Sequence, residues 1–237
     1  MSAQIKILKS EDRGHADHGW LKALHSFSFA DYYNPEQMGF RALRVINEDR
    51  IEAAQGFGTH PHRDMEIVTF IMEGALEHKD SMGNGSVIKP GDIQYMSAGS
   101  GVQHSEFNHS KTEGAHLMQI WILPNVKSAP PRYGQKHFTT EMKKGRFCCL
   151  VSPDGRDDSI AIRQDAMLYA SVLESSMPAI EYRLGAKRYA WLQVLKGSVT
   201  LNAQKLETGD AAAISEEMLL KVKAESKSAE ILLFDLP

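Results

Sequence analysis

A disulfide framework is the first thing this sequence lacks. Its only two cysteines are neighbours, Cys148 and Cys149, and adjacent thiols give neither a cross-linking pattern nor a C-x-x-C metal knuckle. They read as strand packing, with a redox-sensitive thiol as the lesser alternative. Long apolar runs are also missing. None approaches the ~18–20 residues that span a bilayer, and the opening stretch MSAQIKILKSEDRGHADHGW has no apolar leader segment. No membrane partner is expected, and a cytoplasmic location is the default. Basic patches are absent as well: the formal charge is −3 and no Lys/Arg block stands out, so no nucleic-acid partner is expected. Helical periodicity is scarce, with room for one short helix within residues 11–24.

What is present is 237 residues of ordinary globular composition, 42% hydrophobic and 24% charged. That is chain enough for a core without covalent staples, in one large or two small domains. From residue 67 onward IVTFIMEG, ALEHKDSMGNG, SVIKPGD, IQYMSAGSG and HLMQIWILP follow one another. Each is rich in β-branched or aromatic residues and most are closed by Gly, Pro, Asn or Asp, the pattern of short antiparallel strands. EQMGFRALRVI leads back into a strand upstream. Such strands must close or stack to hide their edges, so a barrel or sandwich is expected.

The two halves repeat. TFIMEGALEHKDS…VIKPGDIQYM matches LQVLKGSVTLNAQKLETGDAAAI, aligning Gly74 with Gly197 and Gly91-Asp92 with Gly209-Asp210. The Pro-rich PNVKSAPPRYGQ between them is the natural boundary. The expected architecture is all-β: two tandem β-barrels with few short helices, residues 1–133 and 134–237. Two such barrels can cover each other's edges, so a monomer is expected.

The chemistry concentrates in the first half. On a strand, residues i and i+2 share a face, so His60 and His62 in GTHPHRDME point the same way. His104 and Glu106 in GVQHSEFNH repeat that spacing. Face to face inside a barrel, the pairs offer three imidazoles and a carboxylate, a donor set for one divalent first-row metal: Fe, Mn, Ni, Cu or Zn. One or two positions would stay open for substrate, water or dioxygen, whereas a closed structural zinc site more often recruits thiolates. The repeat is an internal control. Counted from the aligned glycines, His60 and His62 fall on Arg183 and Gly185, and His104 and Glu106 on Val222 and Ala224. A fold that needed these histidines would keep them in both copies, so chemistry belongs to the first barrel and scaffolding to the second.

Other polar residues carry smaller expectations. Glu66 shares the parity of His62 and reads as an acceptor orienting an imidazole, or as a spare ligand. Asp64 reads as solvated. His78, His109, His116 and His137 lack a partner at strand spacing and read as surface or hydrogen-bonded core residues. His15, His18 and His25 form a loose group with Trp20 and suggest no second metal.

GTHPHRDMEIVTFIMEG and GDIQYMSAGSGVQHSEFN resemble the two metal motifs of the cupin superfamily in the form used by pirins. DHGWLKALHSFSFADYYNPEQMGFRALRVINEDRI is similar to the N-terminal arm of that family, and MQIWILP to the strand after its second motif. The resemblance spans roughly residues 10–135. It implies two cupin-type barrels: a metal-binding first and a degenerate second without ligands. The implied ligands are His60, His62, His104 and Glu106. Glu66 occupies the position where cupins in general place a ligand. Ser97 departs from the proline common in cupins and bears on loop stiffness.

Members of the family are described as quercetin 2,3-dioxygenases with iron or another divalent metal, opening a flavonol ring with release of carbon monoxide. That implies a small aromatic substrate and dioxygen as partners, with iron the first expectation. Glu106 or Glu66 would serve as catalytic base. Phe57, Ile67, Met72 and Met96 are the expected pocket walls. Other members act as metal-dependent, redox-sensing partners of transcription factors. That regulatory role, with a protein partner, is the alternative reading; a storage or stress-related cupin is a poorer third.

Overall fold

Alternating burial organises the strands. In Val102–Asn108 the side chains of Val102, His104, Glu106 and Asn108 turn inward while Gln103 and Phe107 face out, the period-two pattern of a sheet with one face on a core. The computed structural model describes residues 4–237. Among the described residues the only helical pieces are one α-helical turn, Thr140–Lys143, and two 3-10 turns, Ser10–Asp12 and Arg156–Asp158. The expected helix within residues 11–24 gives way to a hairpin of Gly14–Asp17 and Leu21–His25. There Gly19 supplies the left-handed turn (φ 79°), and Leu21, Ala23 and His25 are buried at strand spacing. Among the described residues, no helix is long and apolar enough to cross a membrane.

The chain divides into two compact units, each holding a seven-stranded and a four-stranded sheet. In the first, the larger sheet runs Arg132–His137, Asp92–Ser97, Glu66–Glu73, Ala115–Ile122, Leu43–Ile51, Leu21–His25, Gly14–Asp17. Its smaller sheet runs Gly56–His62, Val102–Asn108, Leu76–Asp80, Gly85–Ile88. In the second, the larger sheet runs Gln4–Leu8, Ala211–Ser215, Tyr189–Lys196, Ser228–Leu236, Met167–Glu174, Cys148–Ser152, Ile160–Ala161. The smaller runs Ile180–Arg183, Leu219–Ala224, Ser198–Leu201, Gln204–Glu207. Position for position the orders correspond, so the sequence repeat is a structural one.

The boundaries differ from the expected 1–133 and 134–237. Strand Arg132–His137 pairs with Asp92–Ser97 and stays with the first unit, as do residues 162–164. Gln4–Leu8 pairs with Ala211–Ser215 and belongs to the second. The last third of the supposed linker is therefore an edge strand, because proline marks the loop before Arg132 and not the strand itself.

The repeated Gly-Asp dipeptide fixes both edges in the same way. Asp92 accepts from the Lys89 N–H and from His137 Nδ1; Asp210 accepts from the Glu207 N–H and from Lys9 Nζ. Gly91 (φ 94°) and Gly209 (φ 85°) lie in the left-handed region, and a Cβ there would strike His137 or Ser10 respectively. Cys149 is buried and Cys148 half-buried on strand Cys148–Ser152, and burial pushes both thiols up, away from the reactive thiolate.

Candidate metal centre

The two histidine-bearing strands are neighbours in the small sheet of the first unit. His104 lies directly across from His60, and Val102 from His62. A bulge between the rungs of His104 and Glu106 sets Glu106 opposite Phe57, so the Gly56–His62 strand holds one extra residue there. His60 Nδ1 lies 2.8 Å from the carbonyl of Gly58, at that bulge, and donates to it. This fixes the proton on Nδ1 and leaves Nε2 a bare lone pair.

Three rings converge. Centroids of His60, His62 and His104 are 4.8, 4.5 and 4.7 Å apart pairwise, and His60 Nε2 is 3.0 Å from His104 Nε2. Two nitrogens at right angles on one ion, each ~2.1 Å from it, would be separated by about this distance. Glu106 is wholly buried; its Oε2 accepts from Gln119 Nε2 (3.0 Å), and Gln119 is held by Thr69 Oγ1 (3.1 Å). Its other oxygen, Oε1, is buried without any hydrogen-bond partner, a costly state for a carboxylate unless a cation takes it up. Ligand atoms of His60, His62 and His104 lie within 4.8 Å of one another. The donor set and the orphaned oxygen fit a divalent transition metal. Among the described residues, both groupings of three metal-capable side chains fall in the first unit.

Electrostatics favour the metal-ready forms of the imidazoles. Burial, then the charge of His60, brings His62 down to about 4; burial and the neighbouring rings bring His104 down to about 2. Both are neutral donors at physiological pH. Burial raises Glu106 to about 7, against the pull of the Gln119 bond.

The imidazoles stand at the wall of a cavity of about 310 Å³, near the lower end of the ~300–1,000 Å³ usual for small-molecule sites. Phe29, Phe57 and Trp121 give it aromatic sides, and Leu21 and Ala23 an apolar floor. Of the expected walls only Phe57 lines it. Ile67 and Met96 pack in a separate apolar cluster with Ala98 and Val102, and Met72 is not a lining residue. The sequence reading missed Asp49, Asn47 and Trp121, and gave His18 and His25 no place in the site. His25 Nδ1 lies 2.8 Å from Asn47 Oδ1. Asp49 is almost fully buried, and burial together with Glu106 and Glu48 raises it to about 7. The inward parity of strand Leu43–Ile51 was the available signal for Asn47 and Asp49.

Glu66 is placed elsewhere. It accepts from Tyr95 OH, Ser97 Oγ and the Arg163 N–H, so both oxygens are spent away from the imidazoles and it does not line the cavity. The parity argument fails because residues 63–65 interrupt the strand between His62 and Glu66, where Asp64 turns left-handed (φ 49°). Ser97 does more than soften a loop: it is buried, and it also accepts from Arg163 Nη1. Asp64 accepts from the Ser128 N–H. His109 and His137 are exposed beside Glu77 and Asp92, and His116 is buried against Glu48. His78 is fully buried and faces His104.

The strand rungs also revise the comparison between repeats. Glu106 pairs with His78, and Val222 with Leu201, its counterpart after the aligned glycines. The equivalents of His104 and Glu106 are therefore Leu220 and Val222, two residues earlier than counted. Through the rung of Tyr182 with Leu220, the equivalents of His60 and His62 are Tyr182 and Leu184. The count slipped because the loops on both sides of the aligned glycines differ in length between the repeats. The shift is two for His104 and Glu106, which keeps their face, and one for His60 and His62, which exchanges it. The contrast survives because Tyr182, Leu184, Leu220 and Val222 include neither an imidazole nor a carboxylate.

Comparisons with known proteins agree with this geometry. The pirin family model matches residues 8–122, and the quercetinase C-terminal cupin domain matches residues 149–236. A quercetin 2,3-dioxygenase of Escherichia coli K12 is 50% identical over 98% of this chain and 99% of its own. A pirin-like protein of Caulobacter vibrioides is 41% identical over 94% of this chain and 95% of its own. The crystal structure of a bacterial pirin from Escherichia coli in complex with nickel(II) superposes with a TM-score of 0.93 at 49% identity, covering 99% of both chains. With matches of this extent the chain belongs to the pirin family, and its two units are cupin domains.

Proposed function

We propose that this protein is a metal-dependent dioxygenase of quercetin-like flavonols, cleaving the heterocyclic ring with release of carbon monoxide. The observation that carries the reading is the meeting of three converging imidazoles with an aromatic-walled cavity. A site serving only stability would gain nothing from open space beside its ligands. Relatives at 46–50% identity bear the name quercetin 2,3-dioxygenase or its putative form, which supports the substrate class.

His60, His62, His104 and Glu106 would hold one divalent ion. When bound, that ion supplies Lewis acidity and a redox-active centre for dioxygen; nickel(II) is the ion bound in the solved relative. The side chains define the rest. Phe57 and Trp121 would sandwich a flat ring system and keep water out. Glu106, the one carboxylate of the set, would also take the proton of a substrate hydroxyl while Gln119 holds Oε2 in place. Glu66 has no part in proton transfer, since its oxygens are committed to Tyr95, Ser97 and Arg163.

The test is metal analysis of purified protein, anaerobic quercetin binding, and then admission of oxygen with detection of carbon monoxide. One metal per chain with carbon monoxide released, and both lost in His62→Ala, is the expected result. Stoichiometric metal with quercetin left intact would overturn the substrate assignment.

A further inference from the structure

His78 is unaccounted for by the ligand set. Its side chain and that of Asp80 are both 0% exposed. His78 Nε2 lies 3.2 Å from Asp80 Oδ2, and His78 Nδ1 lies 3.4 Å from His104 Nδ1. Tyr133 stacks on the His78 ring at 5.2 Å and 28°, and Tyr133 is itself tied to Ser86. Asp80 is anchored in turn: its Oδ1 accepts from the backbone N–H groups of Met82 and Asn84 (2.9 and 3.0 Å), and Asn84 Nδ2 reaches both oxygens.

Such a chain orders its own protons. A carboxylate only accepts, so His78 Nε2 carries a hydrogen. A neutral His78 then has a bare Nδ1, which can only accept, and His104 Nδ1 must be the donor. That leaves His104 Nε2 without a hydrogen. From the other side, the Gly58 carbonyl holds the His60 proton on Nδ1. Two imidazole lone pairs are thereby aimed at each other across 3.0 Å, a repulsive arrangement that a cation between them converts into coordination.

We propose that Asp80 and His78 are positioning residues that hold His104 in its Nδ1–H tautomer, so that Nε2 is presented to the metal. The proposal rests on the metal-centre reading above. The second barrel supports it: the counterpart of His78 is Leu201, and that of Asp80 is Ala203, so the relay is missing where the ligands are missing. A carboxylate behind a ligating imidazole raises its basicity, and losing such a partner typically costs ~10–100-fold in metal affinity.

The experiment uses the full chain with zinc(II), a diamagnetic probe. Competition titration gives the Kd for wild type, His78→Leu, His78→Gln and Asp80→Asn, and nitrogen-15 histidine spectra give the tautomers. The expected result is ~10–100-fold weaker zinc binding in His78→Leu and Asp80→Asn. His78→Gln, whose amide oxygen can still accept from His104 Nδ1, recovers part of the loss. In zinc-loaded wild type, His104 carries its proton on Nδ1 and His78 on Nε2 alone. The melting temperature and the zinc-free spectrum identify any variant that has lost its fold, and the wild-type tautomers then decide. Kd values within threefold of wild type in folded variants would overturn the relay, as would a doubly protonated His78 or zinc on His104 Nδ1. Wild-type protein that binds no zinc would overturn the metal-centre reading together with the relay.

Discussion

The two barrels share strand order, paired edges and the Gly-Asp turn, yet fill their interiors with opposite chemistry. In the second, sixteen buried aliphatic and alanine side chains form one continuous cluster that includes Leu184, Leu201, Leu220 and Val222. The corresponding positions of the first are His62, His78, His104 and Glu106. Each substitution of a buried aliphatic by a polar group forfeits about 1.5–3 kcal/mol of burial and adds a desolvation cost. The first barrel tolerates this set beside a retained cavity, and the second shows what the fold prefers when no chemistry is required. A repeat with one blank copy separates scaffold from site without an alignment of relatives.

The strongest way to break this contrast is to remove a ligand on one side and a core residue on the other. His62→Ala is expected to reduce metal from about one per chain to near zero, with at least ~100-fold loss of quercetin turnover. Elemental analysis and oxygen uptake read both. Leu220→Ala, in the position equivalent to His104, is expected to cost about 2–5 kcal/mol in denaturant unfolding while metal affinity stays unchanged. A metal defect from Leu220→Ala would mean the barrels are not separable in this way.

A smaller effect is expected from Glu66→Gln. An amide N–H₂ must there face Tyr95, Ser97 or the Arg163 N–H, all donors to the present carboxylate. A loss of about 1–3 kcal/mol follows, with full metal occupancy; metal loss at unchanged stability would return Glu66 to the site.

The smallest effect concerns Asp49 and pH. Its folded value of about 7 lies above the ordinary 3.8, so the folded protein keeps a proton that the unfolded chain releases. Its contribution therefore falls as pH climbs from about 4 to 7, and stays low above that. Asp49→Asn removes the fall and should stabilise the metal-free protein at pH 8, with little change at pH 4. Chemical unfolding at the two values checks the sign. Equal effects at both would show that Asp49 ionises normally.

The histidine pairs were legible because strand spacing and site geometry coincide: i and i+2 on adjacent strands must meet once those strands pair. The repeat was legible from glycines, whose positive φ at Gly91 and Gly209 no other residue serves as well. Glu66 was misread because parity holds only within an unbroken strand, and the left-handed Asp64 breaks it. Asp49 and Asn47 carry no motif; only the inward face of a neighbouring strand brings them to the cavity. His78 was read only as a surface or hydrogen-bonded core residue, because its partner His104 lies 26 residues away on the neighbouring strand, and pairing between strands has no local signature. The exchange of edge strands was hidden for the same reason: nothing in QIKIL says which sheet it will join.

That exchange has a consequence for how the chain is made. Gln4–Leu8 leaves the ribosome about 200 residues ahead of its partner strand Ala211–Ser215. The first cupin can assemble its sheets once residue 164 is out, whereas the second must wait for Ala211–Ser215 to capture a segment synthesised about 200 residues earlier. Throughout that interval QIKIL is an unsatisfied β-edge, exposed to whatever other strand is near. A ribosome-stalling series should show the first domain resistant to protease well before the second, with Gln4–Leu8 protected last.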